Sequence, residues 1–272
     1  MPRALDSADA ALLARLAPPM PTAYHRLNPL TKASAAVAVT LAALALGGYV
    51  APLLLLVVVV IPSAAAARVL VSVIRRSLFV SAPIALSVAL VSVLTRPGVT
   101  LLFQLGPFDA TLEGADFAAR LILRFFVMAA ALTLFGLTTE PRAFVADLER
   151  RGASPRLTFL AVAVFDAIPW LIERGREVSA AQRARGLDTE GSVWARARGI
   201  TALAGPVVLS TLHGVEERSL ALEARGFGRP GRRELLWAPA DTDRERLVRW
   251  LLLAGMAAAV VARAGGLLDR LP

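Results

Sequence analysis

The sequence predicts an all-α membrane protein with about five transmembrane helices and a large cytoplasmic helical domain inserted before the last span. Three observations support this fold class. Of the 272 residues, 56% are hydrophobic and only 19% are charged. Soluble domains carry about 45–50% apolar residues and about 25% charged residues. The mean hydropathy is +0.61. The apolar residues also come in long uncharged blocks, which is typical of membrane spans.

The predicted elements begin with an N-terminal arm, residues 1–32. Its apolar stretch 10–16 is short and interrupted by Arg15, so it lacks the layout of a secretory signal, and we expect a cytoplasmic or interfacial arm. A four-helix transmembrane region, 33–138, follows. Its first two runs, 33–48 and 51–67, form a helical hairpin around Gly47-Gly48, and the second can continue past Arg68 to Ile74. The other two runs are 78–94 and 117–137.

Two finer features belong to this region. Arg120 and Arg124 lie one helical turn apart near one end of the fourth run, and we expect both to snorkel toward the membrane surface. The first run repeats alanine at helical spacing, which predicts a face for close helix packing. That face contains Ala35, Ala38, Ala42 and Ala45.

The segment 139–246 differs in composition, because charged residues occur throughout it. Its apolar runs, 157–172 and 200–212, are shorter than a span, and Asp166 interrupts the first, so we expect buried or interfacial helices. The final segment, 247–272, contains an apolar run with Arg263 near its end that can cross the membrane once. This gives five spans, with four to six compatible with the pattern.

Arginines in short loops set the orientation. Arg68, Arg75 and Arg76 separate the second and third runs, whereas the loop 96–116 has one arginine against three acidic residues. The first loop is therefore expected inside and the second outside. This places 139–246 in the cytoplasm and the C-terminus outside, in a multi-pass protein of the inner membrane.

Composition excludes several functions. The chain has no cysteine and only two histidines, His25 and His213, so a metal site built from its own side chains is not expected. Lys32 is the only lysine among the 30 basic residues, and no Gly-Lys-Ser/Thr sequence exists to hold ATP phosphates. The net charge is +9, but residues 139–246 carry 17 basic and 15 acidic side chains. No concentrated basic face with stacking aromatics is predicted, so nucleic-acid binding is not expected.

One tripeptide recurs within 139–246. Ala184-Arg185-Gly186 is followed 40 residues later by Ala224-Arg225-Gly226. A glycine that adopts the left-handed conformation ends a helix, so each motif predicts an arginine projecting from a helix C-terminus. Such a guanidinium complements the helix dipole and can bind a carboxylate with two hydrogen bonds.

A third copy, Ala197-Arg198-Gly199, lacks the context of the other two. The first motif ends a segment rich in Glu and Arg, as in a solvated amphipathic helix. The second follows a helical apolar stripe. That stripe contains Val208, Leu212, Val215 and Leu222.

With these motifs, the chain resembles the transmembrane T component of energy-coupling factor transporters, a family marked by two Ala-Arg-Gly motifs at the ends of cytoplasmic coupling helices. The stretches 181–186 and 222–231 match them. Residues 27–32, 105–114 and 138–141 are also similar, so the resemblance covers most of 27–268. Asn28 departs from the expected Asp or His, and Asp166 lies where an Arg is common.

The resemblance implies that this chain is a non-catalytic subunit of an ATP-driven importer of vitamins or transition-metal ions such as cobalt. It would join two ATP-binding cassette ATPase subunits to a membrane-embedded S component that selects the substrate. Ala184, Arg185, Gly186, Ala224, Arg225 and Gly226 would dock on the ATPases. The partner ATPases would bind ATP and Mg, and this chain would hold no cofactor.

Three alternatives are weighed against this interpretation. An ordinary ABC-type permease would form the substrate pathway itself and also needs coupling helices. A membrane enzyme is disfavoured because Asp166, Ser179 and His213 form no recognisable catalytic constellation. A passive scaffold would leave transport unaffected when either motif is lost.

Overall fold

The structure is a computed structural model that describes residues 22–105, 108–186, 193–227 and 239–265; side chains at 102–109, 193–203 and 264 lie outside the description. The chain divides into two compact units. The first contains Met1–Asp147 and Pro239–Pro272, and the second is Leu148–Ala238. The second unit lies within the segment predicted as a cytoplasmic domain, 139–246, whose place in the cytoplasm stays a prediction.

The first unit starts with a helical hairpin, as the sequence predicted. Helix α1 is Pro29–Ala45, with Pro at its first position and Asn28 as N-cap, the Asn28 side chain accepting from the Leu30 amide at 2.9 Å. Gly48, at a φ of 71°, lies in the turn before α2, Val50–Ala66. The middle of α2 is a π-helical segment, Leu55–Val60.

The expected continuation of the second run to Ile74 is wrong. Arg68 has a φ of 58°, a left-handed conformation that stops the helix. A new helix, α3, then spans Leu70–Thr95. Arg75 and Arg76 accordingly lie in the first turns of α3 and not in a loop, so Arg68 is the arginine left between α2 and α3.

A two-stranded antiparallel hairpin, which the sequence did not predict, precedes the next helix. Strands β1, Leu101–Leu105, and β2, Phe108–Thr111, pair in this hairpin. Thr111 also caps helix α4, Leu112–Thr138, by accepting from the Gly114 amide at 3.2 Å. Helix α4 packs extensively on α3, and a Cβ at Gly114 would overlap the Ser92 carbonyl oxygen. Glycine is therefore required where these helices meet.

The core of the first unit lies among α1, α2, α3 and α4 and is built from small apolar residues. Its members are Val39, Ala43, Val60, Ala64, Ala67, Val69, Val73, Val127, Ala130, Ala131 and Leu134. In α1 the buried face follows Ala36, Val39 and Ala43. Of the four alanines predicted to pack, only Ala38 is buried, and the other three are partly exposed.

The last helix of the first unit, α8, is Asp243–Ala264, and it packs against α1. A capping box starts it: the Thr242 hydroxyl accepts from the Glu245 amide, and the Glu245 carboxylate accepts from the Thr242 amide. This helix covers most of the predicted last span, 247–268. Residues 266–268 lie outside the described part of the chain.

Helix α5, Pro141–Arg150, begins in the first unit and ends in the second, whose boundary is at Leu148. The second unit contains α6, Pro155–Ala184, and α7, Val193–Ala224, which pack against each other. Proline lies inside both helices, at Pro169 and Pro206. The apolar runs predicted as buried or interfacial helices belong to α6 and α7, and their apolar side chains are largely exposed.

Three helices of the described residues are long and apolar enough to cross a membrane: Leu70–Thr95, Leu112–Thr138 and Pro155–Ala184. The apolar helices Pro29–Ala45 and Val50–Ala66 are shorter. The first two long helices correspond to predicted spans, whereas the third falls in the segment assigned to the cytoplasm. The prediction of five spans is therefore not confirmed in number, while the helical membrane-protein class is.

Candidate functional site: two helix-terminal arginines

The first predicted motif lies where α6 ends. Ala184 is the last helical residue and Arg185 is the C-cap. The Gly186 amide donates to the Arg183 carbonyl at 2.9 Å, and Gly186 has a φ of 89°. Glycine is the residue that adopts this conformation without strain. The helix end that the sequence predicted here is present, and Arg185 is exposed on it.

The second motif ends α7 in a fuller capping arrangement. Gly226 has a φ of 73°, its amide donates to the Glu223 carbonyl at 2.9 Å, and the Phe227 amide donates to the Leu222 carbonyl at 2.9 Å. These two bonds form a Schellman motif, which satisfies carbonyls at the helix end. Arg225, just before the glycine, is exposed.

An aromatic contact holds the end of α7 against the start of α6. The Phe227 ring lies 4.5 Å from the Phe159 ring, centroid to centroid, at 59°. Such tilted pairs add about 0.5–1.5 kcal/mol beyond the area that they bury. Because Phe227 lies two residues after Arg225, this contact fixes the backbone from which that arginine projects.

The two ends share the same chemistry. Each places an exposed arginine at the C-terminal end of a long helix, where the dipole is negative. A planar guanidinium offers paired N–H donors, so it can bind a carboxylate with two parallel hydrogen bonds. The arrangement is suited to docking on an acidic surface.

The third tripeptide lies in a different setting. Ala197, Arg198 and Gly199 belong to the first turns of α7, Val193–Ala224. Gly199 is therefore inside a helix and does not end one. This agrees with the interpretation that the third copy lacks the context of the other two.

The apolar stripe predicted before the second motif does not form the packing face of α7. Val208, Leu212 and Val215 are exposed by 55%, 55% and 58%. Leu222, the fourth residue of the stripe, is partly buried, as are Val207, Ser210, Thr211 and Gly214. Gly214 lies against the Trp170 ring, since a Cβ there would be in ordinary van der Waals contact with it at 3.5 Å. The large apolar side chains are consequently left on the outer surface.

A groove opens between α6 and α7 beside this contact. Arg218 lies over the Trp170 ring, 5.2 Å from its centroid, and the Arg174 guanidinium pairs with Glu177 at 2.7 Å. His213 also lines the groove, with its Nδ1 2.9 Å from the Leu209 carbonyl oxygen. In the described residues, no three His, Asp or Glu side chains come together in a way that could hold a metal ion.

A buried polar network that sequence reasoning missed joins α1 to α8. Arg249 pairs with both carboxylate oxygens of Asp241, at 2.8 and 3.0 Å, and donates to the Thr31 hydroxyl at 2.9 Å. The Asn28 amide donates to the Ala240 carbonyl at 3.1 Å, and its oxygen accepts from Arg249 at 3.4 Å. An aspartate could not donate to Ala240, so this contact favours asparagine over aspartate at the position where the family resemblance led us to expect Asp or His.

The only lysine also contributes to this end of the first unit. Lys32 Nζ donates to the carbonyl of His25 at 3.0 Å and to that of Thr138, the last residue of α4, at 2.8 Å. Burial, and then the charge of Lys32, lowers the pKa of His25. His25 is therefore neutral at pH 7 and adds no charge beside Lys32. Lys32 thus links the residues before α1 to the end of α4.

Fold and site together define a helical membrane protein with two helix-terminal arginines that suit contact with another protein. Comparison with known proteins gives the family. The sequence model of the Cobalt transport protein family, CbiQ, matches residues 21–235. The chain belongs to this family, and it is a membrane transport subunit of the energy-coupling factor type.

Individual relatives carry the name energy-coupling factor transporter transmembrane protein EcfT. The protein of Heliobacterium modesticaldum is 34% identical over 165 residues, which is 56% of this chain and 62% of the relative. That of Exiguobacterium sibiricum is 31% identical over 185 residues, which is 63% of this chain and 68% of the relative. That of Listeria innocua is 32% identical over 166 residues, which is 56% of this chain and 63% of the relative. The matches to the first and third span less than two thirds of those relatives.

Proposed function

We propose that this chain is the energy-coupling transmembrane subunit of an ATP-driven importer of a vitamin or a transition-metal ion. It links two ATPase subunits to a membrane-embedded S component that binds the substrate. The observation that carries the proposal is the pair of exposed arginines, Arg185 and Arg225, each at a glycine-terminated helix end in one compact unit. The family membership and the names of the relatives support it.

In this function, Arg185 and Arg225 each dock against a carboxylate on one ATPase. The ATPases bind ATP and Mg²⁺, and this chain contributes no catalytic group. When ATP brings the ATPases together, the two docked helix ends shift with them. The S component follows only if its binding free energy differs between the two arrangements, because a ligand or partner shifts an equilibrium by its differential affinity alone.

The uncovered apolar surface of α6 and α7 supports a membrane-associated partner for the same unit. Large apolar residues lie exposed along both helices: Leu157, Leu160, Val164, Phe165, Ile168, Val208, Leu209, Leu212 and Val215. Monomeric soluble proteins rarely expose such contiguous surfaces. In the proposed function, lipid and the S component together cover this apolar surface of α6 and α7.

Orientation is part of the proposal. The second unit, with both arginines, faces the cytoplasm, where the ATPases reside, and the hairpin β1–β2 faces outside the inner membrane. Arg68, Arg75 and Arg76 lie at or near the start of α3, and a cluster of arginines at a helix end favours the cytoplasmic side.

An ordinary ABC-type permease is the second candidate, and one observation favours it. Helix α6, Pro155–Ala184, is itself long and apolar enough to cross a membrane, so the chain could line a substrate pathway without an S component. Transport by the complex that lacks an S component separates the two functions.

Co-purification tests the docking step. With an affinity tag on this chain, Arg185→Ala and Arg225→Ala should each reduce the recovered ATPase, and the double variant should recover none. Truncating one partner of a charged pair across an interface costs about 2–5 kcal/mol. Both side chains are exposed, so the variants should still insert and fold.

Arg198→Ala is the matched control, since its tripeptide lies inside α7. It should recover the ATPases as the native chain does. If Arg198→Ala were as damaging as the other two, or if the double variant retained both ATPases, the docking role of Arg185 and Arg225 would be wrong.

A further inference from the structure

Two arginines meet at the end of the first unit opposite the Asn28–Arg249 network. Arg263, in the last turn of α8, donates from Nη1 to the Ala45 carbonyl at 2.6 Å, at the C-terminus of α1. A Cβ built on Gly47 would lie 3.6 Å from Arg263 Nη1 and 4.0 Å from Arg124 Nη2 of α4. The two guanidinium groups therefore border the same small space beside Gly47.

The charges at this place are not balanced. Arg120, one turn before Arg124, pairs with Asp116, and that carboxylate also accepts from the Tyr49 hydroxyl at 2.7 Å. Within the residues that the structure describes, neither Arg124 nor Arg263 forms an ion pair. The Arg124 Nε is buried and has no hydrogen-bond partner in this part of the chain.

The Arg124 guanidinium lies beside Gly47, just past the end of α1, which is the direction expected of an arginine that snorkels toward the membrane surface. Its Nε is nevertheless buried, and a second cation lies close by. The buried Arg124 Nε lacks a partner, which is unfavourable, and the neighbouring Arg263, although exposed, adds repulsion between two like charges. An anion between them removes both penalties.

We propose that Arg124 and Arg263 form a binding site for a phosphate group. The guanidinium fork matches phosphate oxygens, and the site lies where the apolar helices α1 and α8 end. The ends of apolar membrane helices lie close to the polar headgroup region of a bilayer, where the lipid phosphates are. The phosphate is supplied by an anionic lipid headgroup or by free inorganic phosphate. The site is independent of ATPase docking, because it lies wholly in the first unit.

The test uses the purified full chain. Native mass spectrometry measures bound phosphatidylglycerol, and calorimetry on lipid-free protein measures inorganic phosphate. Arg124→Gln with Arg263→Gln should weaken binding of the phosphate compound at least tenfold. The charge-matched control is Arg75→Gln with Arg76→Gln, two exposed arginines of α3, which should bind as the native chain does. Retained phosphatidylglycerol identifies a lipid source, and saturable binding of phosphate alone identifies a free anion.

Gly47→Leu provides a test that preserves every charge. Gly47 does not have a positive φ, so the substitution is tolerated by the backbone, and the new side chain fills the space between the guanidinium groups. It should also lose at least tenfold in affinity while gel filtration still shows a monodisperse protein. This variant decides the question if the double arginine variant fails to fold.

Three results overturn the proposal. One is that the native chain binds neither compound. Another is that the double arginine variant binds the phosphate compound as tightly as the native chain, with Gly47→Leu taking its place if the double variant does not fold. The same holds if the Arg75→Gln and Arg76→Gln control loses as much affinity as the double variant. The last concerns Asp269, the carboxylate nearest to Arg263 in the following sequence. If Asp269→Asn bound phosphate at least tenfold more tightly, the occupant of the site would be the chain's own carboxylate.

Discussion

Arg249 carries a charge that the fold has almost removed from water. Its side chain and that of Asp241 are 9% and 8% exposed, and the Thr31 hydroxyl and the Asn28 amide complete its hydrogen bonds. Two buried charges are favourable only when their geometry is good and their remaining donors are satisfied. Both conditions hold here, so this pair fixes how the start of α8 meets the start of α1.

We therefore expect Arg249→Ala to destabilise the protein by about 3–5 kcal/mol, because it leaves Asp241 buried without its partner. Arg246→Ala, one turn earlier on α8, is the control. Its ion pair with Asp243 at 3.4 Å is exposed and should contribute at most about 1 kcal/mol. Thermal unfolding in detergent measures both. Equal effects would show that the buried network does not hold the two helices.

The glycines of the two motifs make a second prediction at this scale. Gly186→Ala and Gly226→Ala force alanine into the left-handed region, at φ values of 89° and 73°, at a cost of about 1–2 kcal/mol each. Gly175→Ala, inside α6 with no atom near the added Cβ, should stabilise the helix by about 0.5–1 kcal/mol. Thermal unfolding should therefore show a lower midpoint for Gly186→Ala and Gly226→Ala and a higher midpoint for Gly175→Ala. If all three midpoints moved in the same direction, the helix ends would not be formed as described.

At the scale of elements, local chemistry decided what the sequence could predict. The ends of α6 and α7 were predictable because one glycine determines each. Arg68 was missed as a helix stop, since arginine is not a residue that usually adopts a positive φ. The hairpin β1–β2 was missed because its strands are short and lie in a loop between two long apolar runs.

The apolar stripe of α7 shows the limit of periodicity. Spacing reveals which residues share a face, but not which face packs. Here Trp170 packs against Gly214, so small residues form the contact and Val208, Leu212 and Val215 are exposed. A contact between a large and a small side chain on different helices leaves no signal within either helix.

The Phe159–Phe227 contact predicts that the two docking arginines are not held equally, because it supports the helix end that carries Arg225. Phe159→Ala removes the ring that supports the backbone after Arg225, so ATPase recovery should fall several-fold, consistent with about 0.5–1.5 kcal/mol for such a pair. The control is Phe165→Ala, another partly exposed phenylalanine of α6, which should have little effect. Phe159→Tyr should restore recovery. If Phe165→Ala reduced recovery as much, the contact would not be what positions Arg225.

For the whole molecule, the proposed orientation is testable because the native chain has no cysteine. Val99→Cys, at a site 97% exposed before β1, should react with an impermeant thiol reagent in intact cells. Ser219→Cys, exposed on α7, should react only after the cells are opened. The reverse pattern would place the second unit outside the cell, away from the ATPases, and would contradict the docking proposal.

The sequence predicted the helical class because membrane spans depend on local composition. It could not reveal the joint between Asn28 and Arg249, which lie 221 residues apart and match no local pattern. Nor could it show that Arg124 and Arg263 approach the same glycine from α4 and α8. Both features arise from packing among α1, α4 and α8, which a single sequence does not encode in any short motif.

The central claim is that this chain couples ATPases to a separate substrate-binding subunit. ATP-dependent uptake in proteoliposomes tests it directly, with the ATPases and this chain reconstituted in the presence or absence of the S component. We expect uptake only with the S component, and none when Arg185→Ala and Arg225→Ala are combined. Uptake without the S component, or undiminished uptake by the double variant, would contradict the account.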